Sequence, residues 1–135
     1  MDPEALRAFG ERYAAAWSSQ DPASVASHFT ESGSLKVNDA VPAVGRAAIT
    51  EVARGFMTAF PDMVVTMDSI RRTDAAVEFH WTFVGTNTGP GGTGNPVRFS
   101  GYEEWTFGED GLVERSLGHF DEADYERQLA GSEGG

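Results

Sequence analysis

Apolar residues recur every three or four positions near the start of the chain, a spacing that places them along one side of an α-helix. They are Leu6, Phe9, Tyr13 and Trp17. Asp2 and Pro3 are typical of a helix start, because an Asp side chain caps the first free amides and proline suits the first helical position. The pattern predicts a first helix that ends near Gln20.

Two further helices are predicted before the middle of the chain. Asp21, followed by proline, repeats the start signal and predicts a shorter helix whose inner face reaches Phe29. Residues 34–37 are predicted as a short strand, and a loop follows it. A third helix is expected from about Arg46, because apolar residues again follow helical spacing, and it ends before Pro61.

The second half of the chain is typical of strands, since apolar and polar residues alternate there. The predicted strands are residues 63–72, 76–86, 97–107 and 112–120. A glycine-rich segment, residues 89–96, is predicted as the loop of a long hairpin. Residues 121–129 are expected to form a short acidic helix, and the tail at 131–135 is expected to be disordered.

Helices that precede a run of antiparallel strands predict an α+β fold, with the helices packed on one face of a curved sheet. We expect a single domain over residues 1–130, because no linker or repeat divides the chain. Strand 76–86 carries apolar residues on both faces, so we expect both faces to be covered. A second copy of the chain is the simplest cover for the outer face, which predicts a homodimer.

Composition and charge exclude several classes of function. The chain has 135 residues, no cysteine and a formal net charge of −11, which argues against thiolate chemistry and nucleic-acid binding. No apolar run approaches the ~20 residues of a membrane span, and the acidic start does not resemble a signal peptide. We therefore expect a cytoplasmic protein that contacts neither nucleic acid nor membrane.

No metal or other cofactor is predicted. The three histidines, His28, His80 and His119, do not have the spacing of metal ligands. The glycine-rich loop joins two strands and does not match a dinucleotide or phosphate-binding motif. We interpret it as a hairpin tip that overhangs the mouth of a pocket.

Several segments resemble the SnoaL-like polyketide cyclases of the nuclear transport factor 2-like superfamily. The segments that carry the resemblance are ERYAAAWSSQDP at 11–22, HFTE at 28–31, WTFVGTNTGP at 81–90, TGNPV at 93–97, WTF at 105–107 and DGLVE at 110–114. Asn87 stands where many members carry histidine. The first short strand reads Leu35 to Asn38 and lacks the acid that ketosteroid isomerase-like members place there.

The resemblance implies a cone-shaped α+β barrel, with N-terminal helices packed on a curved antiparallel or mixed sheet and a hydrophobic pocket between them. It implies a cofactor-independent enzyme acting on a small apolar carbonyl compound, by polyketide cyclisation or isomerase-type proton transfer. The same scaffold also carries non-catalytic proteins. The alternative is therefore a small-molecule-binding or dimerisation module, which the departures at Asn87 and in the first strand favour.

Four residues are candidates for proton transfer. Asp121 resembles the general acid/base of the cyclases, but an Asp at that junction also suits the N-cap of the last helix. His119 would share a strand face with Asp121. His80 lies in mid-strand, where a histidine is more often structural than catalytic. Tyr13 resembles the superfamily position whose hydroxyl stabilises an enolate oxygen, although an aromatic residue on that stripe is often simply core.

A second set of residues is expected to shape the ligand pocket. They are Trp17, Phe29, Phe56, Phe60, Trp81, Asn87, Tyr102 and Glu104. On strand 97–107, Tyr102 and Glu104 share one face while Glu103 and Trp105 share the other, so one of the two Glu residues should point inward. Such a carboxylate among aromatic rings would have a raised pKa. A solvated acid paired with an arginine is the alternative for either residue.

Overall fold

The computed structural model describes residues 1–131. Its helices are α1 (Pro3–Trp17), α2 (Pro22–Ala26), α3 (Arg46–Ala59) and α4 (Glu122–Ala130). Its strands are β1 (Phe29–Val37), β2 (Ala43–Val44), β3 (Val64–Arg72), β4 (Val77–Thr86), β5 (Pro96–Phe107) and β6 (Val113–Phe120).

The first helix begins as the sequence predicts. Asp2 is the N-cap, and its Oδ1 accepts a hydrogen bond from the amide of Ala5 at 2.7 Å. The apolar stripe from Leu6 to Trp17 is buried, which orients α1 against the sheet.

The second helix is shorter than predicted, and Phe29 begins β1 instead of extending the helix. The amide of Val113 donates to the carbonyl oxygen of His28 at 2.9 Å, so the chain is drawn into the sheet beside β6 at this point. Strand pairing therefore takes precedence over the helical spacing of the local sequence. The two-residue strand β2 was predicted as loop, because a strand this short has no periodicity.

The strands form one mixed sheet in the order β2-β1-β6-β5-β4-β3. Strands β3 to β6 pair antiparallel in sequence order, while β1 pairs parallel with β6 and antiparallel with β2. The predicted α+β fold with a mixed sheet is confirmed. Within the described residues β2 and β3 lie at opposite edges, so the sheet is open rather than a closed barrel.

Bulges bend the sheet around the first three helices. The register shifts between Met67 and Ser69 on β3 and between Thr106 and Phe107 on β5. Helix α1 packs against β3, and α3 packs against α2 and β1. The core between helices and sheet contains the largest fully buried side chains, among them Tyr13, Phe29, Phe60, Phe79 and Trp105.

The outer face of β4 is more polar than predicted. It carries Glu78, His80, Thr82 and Val84, and only Val84 among them is apolar. Thr82 Oγ1 donates to Asp68 Oδ2 at 2.6 Å, so polar side chains bond to each other across this face. The argument from apolar residues on both faces is therefore wrong for β4. A homodimer that covers this face stays a prediction.

The described part of the chain ends at Gly131, which caps α4 in the left-handed conformation. The rest of the tail predicted to be disordered, residues 132–135, lies outside the described residues. Among residues 1–131, none of the helices combines the length and the apolar character needed to cross a membrane.

Candidate functional site

A cavity of about 60 Å³ lies between the helices and the inner face of the sheet. Its walls are mostly aromatic and aliphatic, and they come from α1, α3 and all strands except β2. The lining residues are Trp17, Leu35, Val37, Phe56, Val65, Phe79, Trp81, Phe83, Phe99, Glu103, Gly118 and Phe120. Among the residues that the structure describes, Glu103 is the one ionisable side chain in this wall.

Strand register places Glu103 in the middle of the inner face. Phe79 on β4 pairs with Glu103 on β5, which pairs with Gly118 on β6, and Gly118 pairs with Val37 on β1. Residues paired directly across strands point to the same face of a sheet. The carboxyl group therefore lies in one transverse row with Phe79, the glycine and Val37, and all four line the cavity.

Three donors converge on one oxygen of the Glu103 carboxyl group. Its Oε1 accepts hydrogen bonds from Ser116 Oγ at 2.6 Å, Trp105 Nε1 at 2.9 Å and the Tyr13 hydroxyl at 3.0 Å. The second oxygen, Oε2, has one longer contact, 3.3 Å from the Tyr13 hydroxyl. A carboxylate oxygen offers two lone pairs, so Oε2 keeps acceptor capacity that Oε1 has used.

Burial raises the pKa of Glu103 above its ordinary value, because a desolvated carboxylate is disfavoured. The bonds from Ser116, Trp105 and Tyr13 favour the carboxylate and oppose this shift without cancelling it. Glu103 is only 7% exposed, so water contributes little to its solvation. The site therefore holds a carboxyl group that protonates more readily than a surface glutamate.

Tyr13 remains a neutral donor to this carboxyl group. Burial, and then the charge of Glu103, raise the pKa of Tyr13 well above its ordinary value. The neighbouring indole of Trp17 favours the phenolate and so opposes this shift, although Trp17 Nε1 has no hydrogen-bond partner within the described residues. Tyr13 is fully buried and does not line the cavity, so it contacts Glu103 rather than the cavity space.

The five apolar residues of the predicted pocket set divide into two groups. Trp17, Phe56 and Trp81 line the cavity as expected. Phe29 and Phe60 are fully buried core residues and lie outside the cavity wall.

Asp121 does not reach the cavity. Strand β6 ends at Phe120, so Asp121 leaves the strand and the expected shared face with His119 does not form. Instead, Asp121 is the exposed N-cap of α4, and its Oδ1 accepts from the amide of Asp124 at 3.0 Å. The helix start places this carboxylate at the surface.

Four other predicted residues meet on the outer face of the sheet, opposite the cavity. His80 Nε2 lies 3.0 Å from Glu78 Oε1, and His119 Nε2 lies 2.6 Å from Glu104 Oε2. The Tyr102 ring lies between the two imidazoles, with centroid distances of 5.2 and 4.8 Å. Alternation along β4, β5 and β6 turns these side chains away from Glu103.

Asn87 has a role in holding the glycine-rich loop. Its Nδ2 donates to the carbonyl oxygen of Ala59 at 3.1 Å, and its Oδ1 accepts from the amide of Thr93 at 2.8 Å. Asn87 is buried but does not line the cavity. The loop is thereby attached to the end of α3, the helix whose Phe56 lines the cavity.

The sequence predicts that either Glu103 or Glu104 points inward, and it places Glu104 in the pocket set. In the structure Glu103 is the inward residue, while Glu104 bonds to His119 on the outer face. A signal for Glu103 is present in β5. Val97, Phe99, Trp105 and Phe107 share its parity and are apolar, whereas the intervening positions are mostly polar. Ser116 carries no such signal, because only the pairing of β5 with β6 brings it to Trp105 and Glu103.

Comparison with known proteins agrees with this fold. The family model of the SnoaL-like domain matches residues 10–116, and the chain therefore belongs to the SnoaL-like domain family. The predicted family is confirmed. A search of curated proteins finds none with significant similarity to this chain.

Solved structures share the fold at low sequence identity. TsrD from Streptomyces laurentii is 20% identical with a TM-score of 0.81, covering 98% of both chains. AclR from Streptomyces galilaeus is 22% identical with a TM-score of 0.78, covering 96% of this chain and 83% of its own. A protein of ketosteroid isomerase-like fold from Catenulispora acidiphila DSM 44928, in complex with trimethylamine, is 15% identical with a TM-score of 0.78, covering 96% and 95%.

Proposed function

We propose that this protein is a cofactor-independent enzyme that moves a proton on a small apolar carbonyl compound, with Glu103 as the proton carrier. The observation that carries the proposal is a buried carboxyl group with a raised pKa in an otherwise apolar cavity wall. Perturbed carboxyl groups in apolar cavities are typical of proton-transfer sites. Polyketide cyclisation and isomerisation both begin with such a transfer.

The proposed step uses the less occupied oxygen of Glu103. Oε2 takes a proton from the carbon next to the carbonyl group, so a C–H bond breaks and an O–H bond forms. The electron pair moves into the carbonyl to give an enolate. The same proton then returns from Oε2 to another atom of the ligand, which restores the carboxylate. Hydrogen bonds from Ser116, Trp105 and Tyr13 keep Oε1 in place throughout.

Tyr13, Ser116 and Trp105 act as positioning residues in this proposal. Each donates to Oε1, and their convergence on one atom fixes the rotamer of Glu103. A preorganised carboxyl group loses little freedom when a ligand binds, which favours the transfer. The aromatic wall supplies apolar contact area, and because the cavity of about 60 Å³ is partly open, a ring-containing ligand would extend beyond it through the open side.

Deuterium incorporation into 2-tetralone tests the proposal without knowledge of the natural substrate. In D₂O, the protein is expected to accelerate exchange of the protons next to the ketone, followed by NMR. Glu103→Gln should reduce the protein-catalysed rate by about 100-fold or more, the usual range for loss of a general base. Glu114→Gln removes an exposed carboxylate from β6 and should retain the rate.

Asp121→Asn separates this proposal from the assignment that the sequence suggested. Loss of exchange in Asp121→Asn, with retention in Glu103→Gln, would assign the proton carrier to Asp121. Retained exchange in Glu103→Gln would remove Glu103 from the mechanism.

A non-catalytic small-molecule-binding protein is the second candidate. One observation favours it: within residues 1–131 the cavity wall contains a single ionisable residue, whereas many proton-transfer sites use two. A binding protein would take up 2-tetralone without accelerating exchange. Binding measured beside the exchange assay therefore distinguishes the two functions.

A further inference from the structure

The indole N–H of Trp81 is a hydrogen-bond donor without an acceptor in the described part of the chain. The indole lines the cavity, and its Nε1 is buried without a hydrogen-bond partner among residues 1–131. Buried N–H groups in folded proteins nearly always have a partner, so an exception needs an explanation. Here the exception lies in the wall of the candidate site.

The position of the Trp81 indole follows from the glycine opposite it. Trp81 pairs with Gly101 on β5, and a Cβ on Gly101 would lie 2.7 Å from Trp81 Cζ2. The absence of a side chain at Gly101 therefore lets the indole lie across β5. Cζ2 and Nε1 belong to the same edge of the indole, so the N–H group also lies over this strand.

Gly101, the strand partner of Trp81, occupies the same-face position next to Glu103 on β5. Gly101 and Glu103 are two residues apart on β5 and share one face, which separates their Cα atoms by about 7 Å. A ligand oxygen held by Trp81 would thus lie beside the carbon whose proton Glu103 removes. The donor and the acid occupy neighbouring positions on one wall.

The other two tryptophans are placed differently. Trp105 Nε1 donates to Glu103, so it is already used. Trp17 Nε1 also has no hydrogen-bond partner among residues 1–131, but Trp17 belongs to α1 and not to the sheet that carries Glu103. Trp81 is therefore the unpartnered indole donor on the same sheet as the acid.

We propose that Trp81 Nε1 donates a hydrogen bond to the carbonyl oxygen of the ligand, so that the cavity selects a ring ketone over a hydrocarbon of the same shape. The inference rests on the proposed function, because it names the ligand contact of that site. An N–H bond to this oxygen strengthens as enolate charge develops, so Trp81 would also assist the proton transfer.

The test compares 2-tetralone with tetralin, which has the same two rings and no carbonyl group. Trp81→Phe keeps an aromatic ring and removes the N–H donor. It is expected to weaken 2-tetralone binding by about five- to tenfold and to change tetralin binding by less than about twofold, as loss of one buried hydrogen bond implies. Phe120→Leu, a change in cavity shape without loss of a donor, should weaken both ligands alike.

NMR of protein labelled with ¹⁵N-tryptophan gives an independent readout. The chain has three tryptophans, so three indole N–H signals are expected. Titration with 2-tetralone should shift the Trp81 signal downfield, while tetralin should not. The Trp105 signal serves as the internal reference, because its N–H is bonded to Glu103 in both cases.

The inference would be overturned if Trp81→Phe weakened the binding of 2-tetralone and tetralin equally. It would also be overturned if both ligands shifted the Trp81 indole N–H signal identically. The absence of binding by either ligand would overturn it as well. The deuterium exchange assay is read separately. If exchange fails while the Trp81 signal responds to the ketone, the ligand contact stands and the enzymatic function does not.

Discussion

The hydroxyl of Ser116 on β6 lies 2.6 Å from Oε1 of Glu103 on the neighbouring strand β5. Both side chains are buried, Ser116 completely and Glu103 at 7% exposure. Hydrogen bonds to a charged group are shorter and stronger than those between neutral groups, and this bond is the shortest of the three at Oε1. It joins the two strands at the point where the candidate acid enters the cavity.

Ser116→Ala is therefore expected to lower the free energy of unfolding at pH 7 by about 1.5–3 kcal/mol, the range for a bond to a charged group. Urea unfolding followed by circular dichroism measures the change. Ser100→Ala is the matched control, because Ser100 is exposed on the outer face of β5, and its effect should stay within about 0.5 kcal/mol. Equal effects of the two substitutions would mean that Ser116 does not stabilise the buried carboxylate.

Glu103→Gln is expected to change how stability depends on pH. Burial raises the pKa of Glu103 in the folded protein, so the folded state binds the proton more readily than the unfolded state. This contribution to stability is fully present below the unfolded pKa, about 4.3, and is lost as the pH rises through the raised folded pKa. Glu103→Gln lacks this titrating carboxyl group, so the variant should gain stability relative to the native protein as the pH rises above about 4.

Urea unfolding at a series of pH values measures that difference. Glu109→Gln removes one negative charge from an exposed turn of a chain with a net charge of −11, and it controls for the general effect of charge. If Glu103→Gln instead lost stability relative to the native protein as the pH rose, the three donors would outweigh burial and the pKa of Glu103 would be lowered.

Gly118→Ala is expected to fill space beside the candidate acid. A Cβ at Gly118 would lie 3.8 Å from Glu103 Cγ and 3.3 Å from the carbonyl oxygen of Lys36, so the methyl group fits with a small adjustment. Because Gly118 lines the cavity, we expect 2-tetralone binding and exchange to fall by about tenfold while the melting temperature changes by a few degrees at most. Calorimetry and the exchange assay measure these effects.

The matched control for this substitution is Gly55→Ala on α3. A Cβ at Gly55 meets no atom within 4 Å, so the added methyl group points into open space away from the cavity. Alanine is favoured over glycine in a helix, so this variant should be slightly more stable and bind normally. If Gly118→Ala weakened 2-tetralone binding no more than Gly55→Ala does, the ligand would bind outside this cavity.

Gln128 attaches α4 to the start of β5. Its Oε1 accepts from the amide of Arg98 at 2.6 Å and its Nε2 donates to the carbonyl oxygen of Arg98 at 2.9 Å, so the amide side chain pairs with β5 as a strand would. Gln128→Ala should increase hydrogen exchange at the Arg98 amide by about tenfold, because the bond that protects it is lost. The amide of Phe79 in the sheet centre should stay protected.

Glu126→Ala is the control for the Gln128 substitution, because Glu126 is exposed on the same helix. It should leave exchange at Arg98 unchanged. Exchange that rises equally throughout the sheet in Gln128→Ala would indicate global destabilisation rather than local release of α4.

Much of the fold follows from local patterns. The Asp2 cap and the apolar stripe from Leu6 to Trp17 predict α1, and alternation predicts β3 to β6 with bounds that agree within one or two residues. These features depend on short-range spacing, which the chain carries directly. The predictions failed at Phe29 and in β2, where pairing with distant strands decides the backbone.

The candidate site was predicted less completely. Alternation separates Glu103 from Glu104 by face, but it does not say which face the helices cover. Aromatic residues at alternate positions of β5 share the face of Glu103 and indicate that this face is buried. The predicted pocket set nevertheless contains Glu104, which lies on the opposite face.

The sequence by itself determined the helix starts, the strand alternation and the membership of a SnoaL-like family, because each depends on residues close together in the chain or on a motif. Only the tertiary structure decided that Tyr13, Glu103 and Ser116 meet, and that Asp121 caps a helix at the surface. Their meeting requires α1 to cross the sheet and β5 to pair with β6 in one register. Long-range packing and hydrogen bonding across the whole chain select that arrangement.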